Sequence, residues 1–239
     1  MRSGAVIGGA ADAIAAPVVD MQSIPPTFNG VERETAYYVG SQGGPGVLLL
    51  HSFWGLTPSV KKRADRLADE GFTVLAPDIT FGELPPTEKD AVATLADADA
   101  DRLARLVLMS TGFIHDKAGG RPIGVVGFGM GGSMGLWASV RAADAVAATV
   151  SFYGTQQIDF AGARSSYLIH LAEEDDYITE DEAVFMEATM GLESLPVEVL
   201  RYPGTSHGFG DPESEGYDEE AFELAWSRTV DFLRRVLVP

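Results

Sequence analysis

Hydrophobic and polar positions along this chain follow two alternating rhythms. The apolar runs ETAYYVG, GVLLLHS, FTVLAPD, IGVVGF, AVAATVSFYG, SYLIHLA and VEVLRYP are short and rich in β-branched residues, and they read as strands. Between them PSVKKRADRLADEG is amphipathic at helical spacing and is closed by Gly71, whose missing Cβ suits a left-handed C-terminal position. TEKDAVATLADADADRLARLVLMS reads as helical throughout, and further helices start near Glu180 and Asp218. Apolar strands alternating with helices predict an α/β fold, a mostly parallel central sheet with helices on both faces. Residues 1–25 read as an N-terminal extension or flexible arm ending at the Pro25-Pro26 break, and residues 26–239 as a single domain.

Composition narrows the partners. The 239 residues, 46% of them hydrophobic, suffice for one core, and no shift in composition separates two domains of similar size. A formal charge of −18 with no clustered Lys or Arg argues against nucleic acid and anionic membrane, and leaves a small molecule as the partner. No apolar run approaches the roughly 18 to 20 residues of a spanning helix. Asp12 interrupts the weak apolar stretch at the N-terminus, which makes a poor signal peptide. Absence of Cys removes disulfides, thiolate metal sites and any cysteine nucleophile, and fits a cytoplasmic location. No metal and no cofactor is expected, and the sequence leaves the oligomeric state open. The acidic segment DPESEGYDEEAFE reads as a solvated loop and helix start.

The chemistry gathers where strands end, since ligands in open α/β sheets collect beyond the carboxyl ends of the strands. The stretch IGVVGFGMGGSMG runs a strand into Gly127-Phe128-Gly129-Met130-Gly131 and then into a helical pattern. That is the layout of a nucleophile elbow, G-x-nucleophile-x-G, in which small flanking residues allow a sharp strand-to-helix turn that lifts one side chain above the sheet. Its central position is Gly129. Three other strand ends carry polar groups: His51-Ser52-Phe53-Trp54-Gly55, Glu173-Glu174-Asp175-Asp176, and Gly204-Thr205-Ser206-His207-Gly208-Phe209.

Taken in order, GGPGVLLLHSFWGLTPSVKKRADRLADEGFTVLAPDI, GVVGFGMGG, VSFYG, LIHLAEEDDYI and YPGTSHGFGDP resemble the dienelactone hydrolase family of α/β-hydrolases from about Glu34 to the C-terminus. The resemblance implies a Cys or Ser where this chain has Gly129, the catalytic carboxylate at Asp175, the catalytic imidazole at His207, and a thiol-activating Glu where it has Ser52. Two of four functional positions are therefore replaced. In the surviving pair Asp175 would accept the Nδ1 proton of His207 and leave Nε2 as a base. The oxyanion hole of such a fold is built from backbone N–H groups, which would be those of Phe53 and Met130, so it does not depend on a side chain at 129. The family's substrate-binding arginines would fall at Thr80-Phe81-Gly82 and at Gly208-Phe209-Gly210-Asp211, where this chain has none. Phe53, Trp54, Phe81, Tyr153 and Phe209 instead predict an apolar aromatic wall for a neutral ligand, each also an ordinary core candidate.

Rival readings attach to the same residues. Asp176 competes with Asp175 for the carboxylate. Ser52 is a nucleophile only if it hydrogen-bonds to His207; Ser133 reads as packed in the helix after the elbow and Ser206 as a turn residue. His51, His115 and His170 read as structural, His51 as a brace for the loop that follows it. Three functions remain: a hydrolase-fold enzyme that has given up covalent catalysis, and so performs direct hydrolysis, elimination, cyclisation or isomerisation; a Ser or Cys hydrolase disabled at Gly129; and a non-catalytic binding protein that kept the pocket.

Overall fold

The computed structural model describes residues 27–28, 31–32, 35–40, 43–80, 84–96 and 99–238. The predicted extension over 1–25 lies outside the described residues. The chain divides into one unit ending at Arg33 and another beginning at Glu34. In the first, β1 (Thr27–Phe28) and β2 (Val31–Glu32) pair antiparallel.

The second unit is built on seven strands: β3 (Ala36–Gly40), β4 (Gly46–Leu50), β5 (Thr73–Pro77), β6 (Ile123–Phe128), β7 (Val146–Phe152), β8 (Ser166–Glu174) and β9 (Val197–Ser206). They lie in the order β3-β5-β4-β6-β7-β8-β9, with only the β3–β5 pair antiparallel. The helices are α1 (Pro58–Asp69), α2 (Glu88–Ala96), α3 (Ala100–Lys117), α4 (Met130–Arg141), α5 (Glu180–Leu192) and α6 (Glu219–Leu237). Every residue of β4, β5 and β6 is buried, which is why those runs read as continuous rather than alternating. Val47, Leu49, Val74, Ala76, Val126 and Phe128 share one face with residues of α1 and α6. Tyr167, Ile169 and Leu171 pack on the other face with α4 and α5.

Element boundaries follow local chemistry. Thr57 caps α1 by accepting a hydrogen bond from the Val60 amide, and Pro58 fills the first turn. The helix closes as expected at Gly71, φ +93°, with the Gly71 amide bonded to the Ala68 carbonyl and the Phe72 amide to the Leu67 carbonyl. The helical stretch predicted over 87–110 is instead two helices. Asp99 starts the second by accepting from the Arg102 amide, a cap that competes with continued helix, and α3 then runs on to Lys117. No helix among the described residues is long and apolar enough to cross a membrane.

Register places the site. β4 and β6 pair in parallel to Leu50 and Gly127, so His51-Ser52 and Phe128-Gly129 leave the sheet side by side. β5 lies on the other side of β4, which makes this the switch point in strand order. β8 and β9 pair as far as Glu174 and Ser206, so Asp175 and His207 leave together as well.

Candidate active site

Gly129 sits between β6 and α4 with φ +51° and ψ −117°, a conformation that L side chains rarely adopt. Its amide donates to the Phe152 carbonyl at 2.9 Å and its carbonyl accepts from the Ser133 amide at 3.0 Å, so the turn is fixed at both ends. The glycines around it have a different reason to be glycine. A Cβ on Gly127 would lie 2.2 Å from the Gly131 carbonyl oxygen, and one on Gly131 would lie 2.4 Å from that of Leu50, both impossible approaches. A Cβ on Gly129 would meet only ordinary contacts: 3.6 Å to the Ser52 Cβ, 3.8 Å to His207 Nε2 and 3.8 Å to the Tyr153 ring.

The carboxylate–imidazole pair forms on the neighbouring strand ends. His207 Nδ1 lies 2.9 Å from both Asp175 oxygens. Asp175 Oδ1 also accepts from the Tyr177 and Ile178 amides, each at 2.9 Å, and these bonds hold the carboxylate in place. The next turn is stiffened by α5, whose capping box pairs Thr179 with Glu182. With Nδ1 committed to Asp175, Nε2 is the nitrogen that faces the space over Gly129.

The first turn of α4 and the loop after β4 supply amide donors. Met130 is the first residue of α4, so its N–H has no acceptor within the helix, and the Phe53 N–H has no backbone acceptor among the described residues. Ser52 is buried beside Gly129, but its Oγ accepts from the Trp54 amide at 3.5 Å and makes no hydrogen bond with His207 among the described residues. His51 braces this loop. Its Nδ1–H donates to the Ser52 carbonyl at 2.7 Å and its Nε2 accepts from the Ile79 amide at 3.0 Å.

The aromatic wall is only partly as the sequence predicts. Tyr153, φ +38°, packs edge-on against His207 with ring centroids 5.0 Å apart, and Phe53 and Trp54 adjoin at 5.5 Å. Phe209 is a correction: it is fully buried among Phe152, Tyr153 and Tyr202, because the loop turns back at Gly208 and drives the ring into the core. Phe81 lies outside the described residues. His115 lies on α3, away from these strand ends. His170 is structural: it is fully buried, its Nδ1 lies 2.8 Å from the Tyr202 hydroxyl and its Nε2 3.0 Å from Thr229 Oγ1. Burial, aided by the nearby Arg228 charge, lowers its pKa to about 3.

Two features escape the sequence reading. Arg63, buried on α1, donates through Nη1 to Asp211 Oδ1 at 2.9 Å and through Nη2 to the Gly210 carbonyl, so it clamps the loop that carries His207. Its guanidinium also lies 4.1 Å over the Phe128 ring. The signal was in the helix: with Val60, Ala64 and Leu67, Arg63 completes the i, i+3, i+4, i+7 stripe of the buried face. Tyr177 is the second, lying against His207 at a centroid distance of 4.6 Å.

The dienelactone hydrolase family model matches residues 35–237, nearly all of the second unit. The chain belongs to the dienelactone hydrolase family. Protein usf of Aquifex pyrophilus is 30% identical over 221 residues, covering 87% of this chain and 96% of that protein. The carboxymethylenebutenolidase of Rhodococcus opacus is 27% identical over 226 residues, covering 87% of this chain and 88% of that protein. Among solved structures, a dienelactone hydrolase-like promiscuous phosphotriesterase from metagenomic libraries superposes with a TM-score of 0.71 at 23% identity, covering 82% of this chain and 88% of that one. The fold is therefore the α/β-hydrolase fold, and the chain is an enzyme of a hydrolase family with Gly129 at the central position of its elbow.

Proposed function

We propose that this enzyme hydrolyses small, neutral, largely apolar esters or lactones by direct attack of water, with His207 as general base, Asp175 as its orienting carboxylate, and the Phe53 and Met130 amides as the oxyanion hole. One observation carries the reading: His207 Nε2 lies 3.8 Å from where a side chain at 129 would begin, while Nδ1 is held by Asp175. The base thus faces the place that a covalent nucleophile would occupy. In this mechanism Nε2 takes a proton as the water oxygen bonds to the substrate carbonyl carbon, and the amides hold the resulting oxyanion. Collapse breaks the carbon–oxygen bond of the leaving group, which receives the proton back from Nε2. A lactone opens to its hydroxy acid.

The same base and donors suit abstraction of an acidic O–H or C–H with an enolate in the hole, so elimination, cyclisation and isomerisation are neighbouring chemistries. None of these steps requires a cofactor. An uncharged rather than anionic substrate is supported by the carboxylates of Asp175, Asp176 and Glu88, which gather around Tyr177. The Cys-free composition supports action in the cytoplasm. The room over Gly129 favours one alternative, an ordinary Ser or Cys hydrolase disabled at that position.

The test pairs intact-mass measurement with turnover. Exposure to a fluorophosphonate leaves the wild-type mass unchanged, because phosphonylation needs an activated hydroxyl. His207→Ala lowers turnover of a neutral lactone, chosen by screening, by about 10² to 10⁴-fold. An adduct mapped to Ser52 overturns the non-covalent mechanism, and unchanged turnover in His207→Ala overturns the base.

A further inference from the structure

One aromatic side chain at the site has no part in this mechanism. Tyr177 follows Asp175 by two residues, and its ring lies against the His207 imidazole at 4.6 Å with an interplanar angle of 47°. Phe53, on the facing loop, is 6.2 Å from the same ring. Tyr177 is 48% exposed while the His207 side chain beneath it is 13% exposed, so the ring lies on the solvent side of the imidazole. The backbone under it is fixed, since the Tyr177 and Ile178 amides both bond to Asp175 and α5 starts immediately after. Movement of the ring is therefore confined to rotation about its own side-chain bonds. Its polar restraint is a hydrogen bond from the phenol to the carboxylate of Glu88, the first residue of α2. That bond also pushes the Tyr177 pKa up to about 12.

We propose that Tyr177 is a specificity-determining residue of this site: its ring caps His207, Glu88 latches it through the phenol, and the latched ring limits access to small or flat uncharged molecules. The latch is a single hydrogen bond at an exposed position, so its opening is a minor excursion of modest cost rather than a rare event. A small reagent passes beside the closed ring, whereas a branched one must wait for it to open. This assignment rests on His207 as the base that faces substrate, but its test needs no turnover.

The test measures acylation of His207 by diethyl pyrocarbonate and by the bulkier di-tert-butyl dicarbonate, using peptide mass mapping. His115, 28% exposed on α3 far along the chain from the cap, serves as the internal standard. In the wild type the small reagent outpaces the bulky one at His207 by a larger ratio than at His115. Tyr177→Ala brings that ratio down to the His115 value, with labelling by the bulky reagent faster by roughly tenfold. Tyr177→Phe and Glu88→Ala keep the ring but remove the latch, and raise bulky-reagent labelling by roughly three- to fivefold, as loss of one net hydrogen bond implies. A ratio unchanged in Tyr177→Ala overturns the cap, and Tyr177→Phe behaving as wild type overturns the latch. Turnover surviving in His207→Ala would remove the catalytic reading while leaving these ratios as they are. Unaltered ratios alongside an inactive His207→Ala would remove the cap alone.

Discussion

The two halves of the candidate site, one at the ends of β8 and β9 and the other at the ends of β4 and β6, are built in different ways. On the first, side chains make the contacts: Asp175 has three donors at 2.9 Å, His207 packs against Tyr153 and Tyr177, and Arg63 clamps the loop. On the second, the backbone dominates. The turn at φ +51°, the close approaches at Gly127 and Gly131 and the amide donors are all in place, but position 129 has no side chain. On the function proposed above, the difference teaches that the scaffold of a nucleophile elbow and the nucleophile itself are separable. On that reading, an imidazole held at Nδ1 opposite a bare turn is equipped to move a proton.

The largest effect that would break this comparison is steric. Gly131→Ala forces a Cβ to 2.4 Å from the Leu50 carbonyl oxygen, and chemical denaturation should show a loss of at least about 4 kcal/mol or no folded protein. Gly129→Ala meets no such contact and should cost only the backbone strain, about 1 to 3 kcal/mol. Equal losses would mean that the bare turn is as tightly packed as its flanks.

Acid sensitivity should come next, and should belong to the β8–β9 half. His170 is held neutral with a pKa of about 3, whereas in the unfolded chain it titrates near roughly 6.5. Between those values the unfolded state binds more protons, so this histidine's contribution is complete above about pH 6.5 and is lost as the pH falls toward 3. Denaturation at a series of pH values should show a loss on the order of 4 kcal/mol from this group between pH 7 and pH 3. His170→Gln should flatten that limb while lowering stability at pH 7. A limb equally steep in the variant would assign the acid sensitivity elsewhere.

The smallest change in stability should bring the clearest change in chemistry. Gly129→Ser adds a hydroxyl next to His207 Nε2 at about 1 to 3 kcal/mol of strain. The variant should hydrolyse an activated ester faster than the wild type and should take a fluorophosphonate adduct at residue 129, which the wild type does not form. Failure of folded Gly129→Ser and Gly129→Cys to react would show that the base side has drifted out of alignment, and would favour a protein that only binds.

What was legible in the sequence was whatever depends on residue order. Strand runs, the elbow glycines, Asp175 and His207 all sit at strand ends, and parallel pairing brings strand ends together whatever lies between them. What was not legible depends on how far a local signal reaches. The helical pattern over 87–110 carries an aspartate that can cap as well as continue, and Asp99 caps. Phe209 is equally plausible as a pocket wall or a core residue until Gly208 fixes the direction of the loop. Arg63 was hidden because a charged residue in an amphipathic helix is first read as solvated, although its spacing put it on the buried stripe. Tyr177 sits in an acidic loop, where nothing in the sequence says that its ring turns back onto a histidine.

Gly129 also has a consequence for how this protein can change over generations. Glycine codons ending in a pyrimidine differ by one base from a serine codon and by one base from a cysteine codon. The turn, the imidazole and the amide donors surround a position where a Cβ would meet only ordinary contacts. For such a codon, and on the proposed mechanism, the covalent route lies one point mutation away. The proposed mechanism thus puts the chain at a reversible branch point between two reaction styles on one backbone.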